Sequence, residues 1–126
     1  MRIVTPTPPA RRILVIDDDN FIRGLLEASL RASDFEVRGV ATQAAFGEEL
    51  VAFDPHVVMV DLDLGPGPSG MQLLALVEAD SPWVAKIVVT SHRSTRLVDG
   101  NAPAVPDVTY IVKADITSAD QIVAAV

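Results

Sequence analysis

The sequence predicts an α/β domain in which a parallel sheet is covered by helices on both faces. Two observations carry this reading. Short apolar runs alternate with longer amphipathic ones about five times along the chain. Val, Ala and Leu supply most of the apolar mass, which suits strands buried on both faces. Length and composition agree with it: 126 residues, 49% hydrophobic and 21% charged, are enough for one core and too few for two.

The elements follow in order. Arg12-Ile13-Leu14-Val15-Ile16 is a buried-strand run that ends abruptly at Asp17-Asp18-Asp19. From Asn20 to Ala32, Ile22, Leu25, Leu26, Ser29 and Leu30 keep helical spacing, with Asn20 or Asp19 as the cap. Phe35 to Val40 is a short β-like piece. Thr42 opens a second helix in which Phe46, Leu50 and Phe53 share a face, and Gly47 weakens it. Asp54-Pro55 stops that helix, and His56 to Val60 is a second buried strand, ending at Asp61.

A Gly/Pro loop, Leu64 to Pro68, leads to Ser69 and Gln72, which form a capping-box pattern for a helix carrying Met71, Leu74 and Val77. Ala85 to Val89 is a strand followed directly by Thr90-Ser91. The stretch from Arg93 to Asp107 is broken by Gly100, Pro103 and Pro106, so the helix due there is short or irregular. Val108 to Val112 is the last strand and ends at Lys113. Ser118 and Gln121 then make a capping box for a final helix. Such an alternation calls for right-handed crossovers, and ligands of such sheets bind outside the carboxyl ends of the strands.

Charge and cysteine usage exclude several functions. A net charge of −7 repels phosphate backbones, so direct nucleic-acid binding is not expected. The absence of cysteine rules out disulfides and thiolate metal sites. No apolar stretch has the length of a membrane span, and Met1 to Arg12, with Pro6, Pro8 and Pro9, lacks the apolar core of a signal peptide. Residues 1–11 are expected to be a flexible extension, residues 12–126 the folded domain, and the location cytoplasmic.

Four of the five strands end in residues capable of chemistry: Asp17-Asp18-Asp19, Asp61, Thr90-Ser91 and Lys113. A parallel sheet gathers these ends on one edge. Carboxylates so crowded repel one another unless a cation joins them, and an oxygen-only cluster favours a hard ion such as Mg²⁺. A carboxylate flanked by such an ion, a lysine and a hydroxyl is equipped to accept a phosphoryl group. Each residue also has an ordinary explanation: acids cap helices, threonines and serines cap turns, and lysines are solvated. Only the joint placement raises the functional reading above these.

Val15-Ile16-Asp17-Asp18-Asp19, Val58-Met59-Val60-Asp61-Leu62, Val88-Val89-Thr90-Ser91 and Tyr110-Ile111-Val112-Lys113 resemble the successive signatures of response-regulator receiver domains. The resemblance runs from about Arg12 to the C-terminus. It implies a flavodoxin-like, doubly wound, five-stranded parallel sheet of order 2-1-3-4-5. It also implies site roles. Asp61 would be the phosphoacceptor. Asp17 and Asp18 would hold Mg²⁺ (or Mn²⁺), with Asp61 and the backbone carbonyl of Asp63 completing the protein ligands. Thr90 would be the switch hydroxyl, Tyr110 the aromatic whose rotamer follows it, and Lys113 the lysine that pairs with Asp61 and then with the phosphoryl group. The implied phosphoryl donor is a sensor histidine kinase or a histidine phosphotransfer protein, and the receiver of the signal an output domain or a downstream protein.

Three departures from the family pattern stand out. Ala114 follows Lys113 where proline is usual, and a cis bond there would cost roughly 2.5–4 kcal/mol, so a trans bond is expected. The loop after Asp61 is one residue longer than usual. The fourth-helix region is broken, which points to an atypical output mode. Three other readings compete. One is a pseudo-receiver that binds partners without phosphate. Another is a haloacid-dehalogenase-type phosphatase, from Asp61-Leu62-Asp63, although that motif normally closes a first strand. The third is a flavodoxin-like cofactor binder, against which the acids after the first strand argue. His56 is expected to be structural, and Trp83 to pack at a loop.

Overall fold

In the computed structural model, the described residues are 10–90, 105, 107–113, 116 and 119–126. Among these residues, nine elements follow in sequence: β1 (Arg12–Ile16), α1 (Asn20–Arg31), β2 (Glu36–Val40), α2 (Gln43–Ala52), β3 (Val57–Asp61), α3 (Gly70–Asp80), β4 (Ala85–Thr90), β5 (Val108–Val112) and α4 (Ala119–Ala125). The sheet has the order β2-β1-β3-β4-β5, with every neighbouring pair parallel. This is the flavodoxin-like arrangement. The chain leaves β1 for β2 on one side, then returns to place β3 on the other. A crevice opens where the direction reverses, between the carboxyl ends of β1 and β3.

Successive residues of a strand point to opposite faces, so a strand covered on both sides must be apolar throughout. The central strands β1, β3 and β4 follow this except at Arg12, Asp61, Lys86 and Thr90. Leu14, Ile16, Val58, Val60 and Val88 pack with Phe46, Leu74 and Val77 of α2 and α3. Ile13, Val15, Val57, Met59, Ile87 and Val89 pack on the other face with Leu26 and Leu30 of α1 and Ile122 of α4. Each such fully buried side chain contributes on the order of 1.5–3 kcal/mol. The two clusters fix the sheet register, and the register fixes which residues emerge at the crevice.

Helix starts follow their sequence signals. Asp19 caps α1, its Oδ1 accepting from the N–H groups of Phe21 and Ile22 at 2.9 and 3.1 Å. Thr42 caps α2. Ser69 and Gln72 form a reciprocal capping box at α3. Of the helically spaced leucines in α1, Leu26 and Leu30 are buried, whereas Leu25 is exposed, contrary to the expected apolar face. Trp83 does not pack at its loop; it is 75% exposed. His56 is structural, its Nδ1 accepting from the Arg12 N–H at 2.9 Å and tying β3 to β1.

Several expectations fall outside the described residues. These are the N-terminal residues 1–9, Ser91, most of the broken fourth-helix region, the Lys113–Ala114 bond, and Ser118 of the last capping box. Among the described residues, no helix is long and apolar enough to cross a membrane.

Candidate functional site

The acidic triplet after β1 divides its labour. Asp19 is spent on the α1 cap. Asp17 turns inward and is 1% exposed, while Asp18 stays exposed. The Asp17 backbone is held on both sides: its N–H donates to the Val40 carbonyl at 3.2 Å, and its carbonyl accepts from Arg23 Nη1 at 2.8 Å. Its Oδ1 accepts from the Asp19 N–H at 3.0 Å. Arg23 was not singled out by sequence reasoning, because one arginine on a helix carries no signal until the register places it under Asp17.

Asp61, the last residue of β3, is 5% exposed. Its Oδ1 accepts from the Asp63 N–H at 3.1 Å, and its Oδ2 accepts from Lys113 Nζ at 3.2 Å. Lys113 comes from beyond β5, two strands away in the sheet, and its ammonium also lies 2.9 Å from Asp17 Oδ2. That second contact is an ion pair without hydrogen-bond alignment. Asp17 Oδ2 is therefore a buried oxygen lacking an aligned donor. Carboxylate oxygens of Asp17, Asp18 and Asp61 all lie within 4.8 Å of one another.

The electrostatics follow from this crowding. Burial raises the Asp61 carboxyl from 3.8 to about 6; the Asp63 N–H and the Lys113 ammonium work against that rise, and the Asp17 charge adds to it. Burial alone would lower the Lys113 ammonium, but Asp17 and Asp61 outweigh it and hold the lysine above its usual 10.5. Among the described residues, a single ammonium thus faces three clustered carboxylates, one of them with an oxygen lacking an aligned donor. An additional hard cation would fit this oxygen-only donor set, with Asp17, Asp18 and Asp61 as the residues to hold it.

Thr90 closes β4 with its side chain fully buried, and pairs in register with Val112. Tyr110 pairs with Val88, so Thr90 and Tyr110 lie on one face, diagonal to each other across neighbouring strands. Tyr110 is 41% exposed. Asp61, Asp17, Asp18 and Lys113 are thus brought together, Thr90 sits on the adjoining strand end, and Asp63 is one step along the loop with its N–H on Asp61.

Gly70 is the residue that sequence reasoning missed most plainly. It opens α3, and its N–H donates to the Leu62 carbonyl at 3.3 Å. A Cβ placed there would stand 2.3 Å from the Asp61 carbonyl oxygen and 2.8 Å from Leu62 Cα. Only glycine lets the helix start against the backbone of Asp61 and Leu62. A glycine after a serine at a helix start gives no hint of such a contact.

The topology, with its acids and lysine at the strand-order reversal, defines a receiver domain of two-component signalling. Residues 13–124 match the family model of the response regulator receiver domain, and the chain belongs to that family. Among curated proteins, it is 34% identical over 100 residues to a protein-glutamate methylesterase/protein-glutamine glutaminase of Rhodopseudomonas palustris, covering 77% of this chain and 27% of that protein. It is 34% identical over 85 residues to the transcriptional regulatory protein FixJ of Azorhizobium caulinodans, covering 68% of this chain and 40% of that one. The chain therefore spans well under half the length of these relatives. Among solved structures, a response regulator receiver protein from Sinorhizobium medicae shares the fold, with a TM-score of 0.79 at 23% identity over 93% of this chain and 91% of that one. A CheY-like receiver domain protein from Methanospirillum hungatei has a TM-score of 0.71 at 28% identity, over 91% of this chain and 89% of that one.

Proposed function

We propose that this domain is a working phosphoacceptor: Asp61 takes a phosphoryl group from a phosphohistidine on a sensor kinase or phosphotransfer protein, with a divalent ion held by Asp17 and Asp18. The observation that carries the reading is the Asp61 carboxylate, oriented at one oxygen by the Asp63 N–H and at the other by Lys113. An Asp61 carboxylate oxygen attacks phosphorus, the P–N bond breaks, and its electron pair leaves with the imidazole. The product is an aspartyl phosphate. Mg²⁺ or Mn²⁺, when bound, supplies positive charge for the phosphoryl oxygens.

The chain's own residues supply the rest. Lys113 is already within ion-pair reach of both buried carboxylates, so a short movement carries it from Asp61 to a phosphoryl oxygen. Asp17, Asp18, Asp61 and the carbonyl of Asp63 are the ligand set for the ion. Thr90 is the hydroxyl that turns towards the new phosphoryl group, and Tyr110, partly exposed on the same face, follows it. The changed surface acts on an output domain or downstream protein in the cytoplasm, with residues 12–126 as the receiver unit.

Incubation with acetyl phosphate and Mg²⁺, followed by intact mass, tests this. The wild type is expected to gain one phosphoryl group that is retained in mild acid and lost in base. Chelation should abolish the gain. A folded wild type that gains no mass under these conditions would leave a pseudo-receiver, acting through constitutive partners.

A further inference from the structure

We propose that Gln43 is a positioning residue for the phosphoacceptor site, clamping the loop that follows Asp61. The inference rests on the phosphoacceptor reading and deepens it. The loop from Leu62 to Ser69 is poorly equipped to hold its own shape. Pro66 and Pro68 have no N–H to donate, and Gly65 and Gly67 sit at φ of 73° and 106°, left-handed conformations open to many alternatives. Its own backbone thus offers few donors to fix its shape, and a side chain from another element can do so.

Gln43 is that side chain. Its Nε2 donates to the Pro66 carbonyl at 3.2 Å and to the Pro68 carbonyl at 3.1 Å. Two carbonyl partners fix the amide orientation, since only the NH₂ end can serve both. The clamp is mounted on a fixed post. Gln43 is the first residue of α2, whose start is capped by Thr42 and whose body is anchored by the fully buried Phe46. Its amide also packs against Gly67, where a Cβ would come within 3.2 Å of Nε2.

What the clamp holds matters for the chemistry. The loop is tied to the site at its start, where the Asp63 N–H orients Asp61 Oδ1, and at its end, where Gly70 N–H meets the Leu62 carbonyl. Between those ties, Gly65 borders the Asp18 carboxylate, a Cβ there lying 3.8 Å from Oδ2. With the Gln43 amide gone, this middle section can swing away from the acidic cluster. The cost falls on the ligand geometry contributed by Asp63 and Asp18. The helix that supplies the clamp contributes no residue to the site itself.

The test uses the whole chain with Gln43→Leu, which keeps the bulk and loses both donors, and Gln43→Lys, which keeps a donor. Three quantities are measured: amide exchange of Leu64, Gly65 and Gly67 without metal, the Kd for Mg²⁺ by calorimetry, and the urea midpoint. Gln43→Leu is expected to speed exchange in the loop and to weaken Mg²⁺ binding roughly three- to tenfold, the share of two neutral hydrogen bonds passed to the site. Gln43→Lys is expected to recover at least half of the loss on a logarithmic scale. A destabilised fold alone would lower the urea midpoint and leave the Mg²⁺ affinity of the folded protein unchanged. Should Gln43→Leu fail to fold, Gln43→Asn, one methylene too short, carries the same expectation. Unchanged loop exchange and Mg²⁺ affinity in the donor-free variant would overturn the clamp, as would a lysine variant no closer to wild type than leucine. A wild type that takes up neither Mg²⁺ nor phosphoryl would overturn the phosphoacceptor reading itself, which separates the two failures.

Discussion

Burial sets the protonation of Asp61, and with it a cost that the metal-free domain bears at neutral pH. A carboxyl whose pKa is higher folded than unfolded favours folding at low pH and loses that contribution as pH climbs from 3.8 through about 6. Lys113 is also raised, so its contribution persists below 10.5 and is lost only in alkali. The metal-free protein is therefore expected to lose about 1–3 kcal/mol between pH 4 and pH 7 from Asp61. Asp61→Asn should flatten that slope and be the more stable protein at pH 7, as read by urea denaturation across pH; a steeper slope in the variant would contradict it. Gly70→Ala belongs at the same scale. With the new methyl driven into the Asp61 backbone, it should cost roughly 1–3 kcal/mol. It should also slow phosphorylation by acetyl phosphate in the fraction that remains folded, whereas a normal rate there would show that the acceptor carboxylate tolerates the displacement.

At the scale of elements, the sequence was readable where local chemistry decides. Mostly apolar runs, interrupted by Lys86 in β4 and Thr109 in β5, mark β1, β3, β4 and β5, and Asp19, Thr42 and Ser69 carry the cap chemistry that starts α1, α2 and α3. Phe35 to Val40 was weaker because an edge strand alternates: Glu36 and Arg38 face solvent. The acidic triplet could not be divided without the structure. Three adjacent aspartates look alike in sequence, and only the turn after β1 sends one inward, leaves one at the rim and makes one a cap. The division has a testable consequence. Asp19→Ala should cost about 1 kcal/mol of stability and leave Mg²⁺ affinity within a factor of two. Asp17→Ala should weaken Mg²⁺ binding by tenfold or more. Equal effects on metal binding would contradict the division.

At the scale of the whole molecule, the site is a product of topology. Asp17 and Lys113 are far apart in sequence, yet the reversal in strand order between β1 and β3 brings Asp17, Asp61 and the lysine beyond β5 into one crevice. Strand ends could be read as one edge from the sequence, which is why Asp17, Asp18, Asp61, Thr90 and Lys113 were legible as a group. Contacts made through backbone or across helices were not. Gly70 against Asp61, Arg23 beneath Asp17 and Gln43 on the β3–α3 loop depend on packing distances that no local pattern encodes. The central claim is that Asp61, and no neighbouring carboxylate, carries the phosphoryl group. Trapping answers it most directly: the protein is phosphorylated with acetyl phosphate and Mg²⁺, reduced with borohydride, and digested for peptide mass analysis. Reduction of an aspartyl phosphate leaves homoserine, and the account predicts that residue at position 61 alone. Homoserine at Asp17, Asp18 or Asp63, or none in a protein that had gained phosphoryl mass, would contradict it.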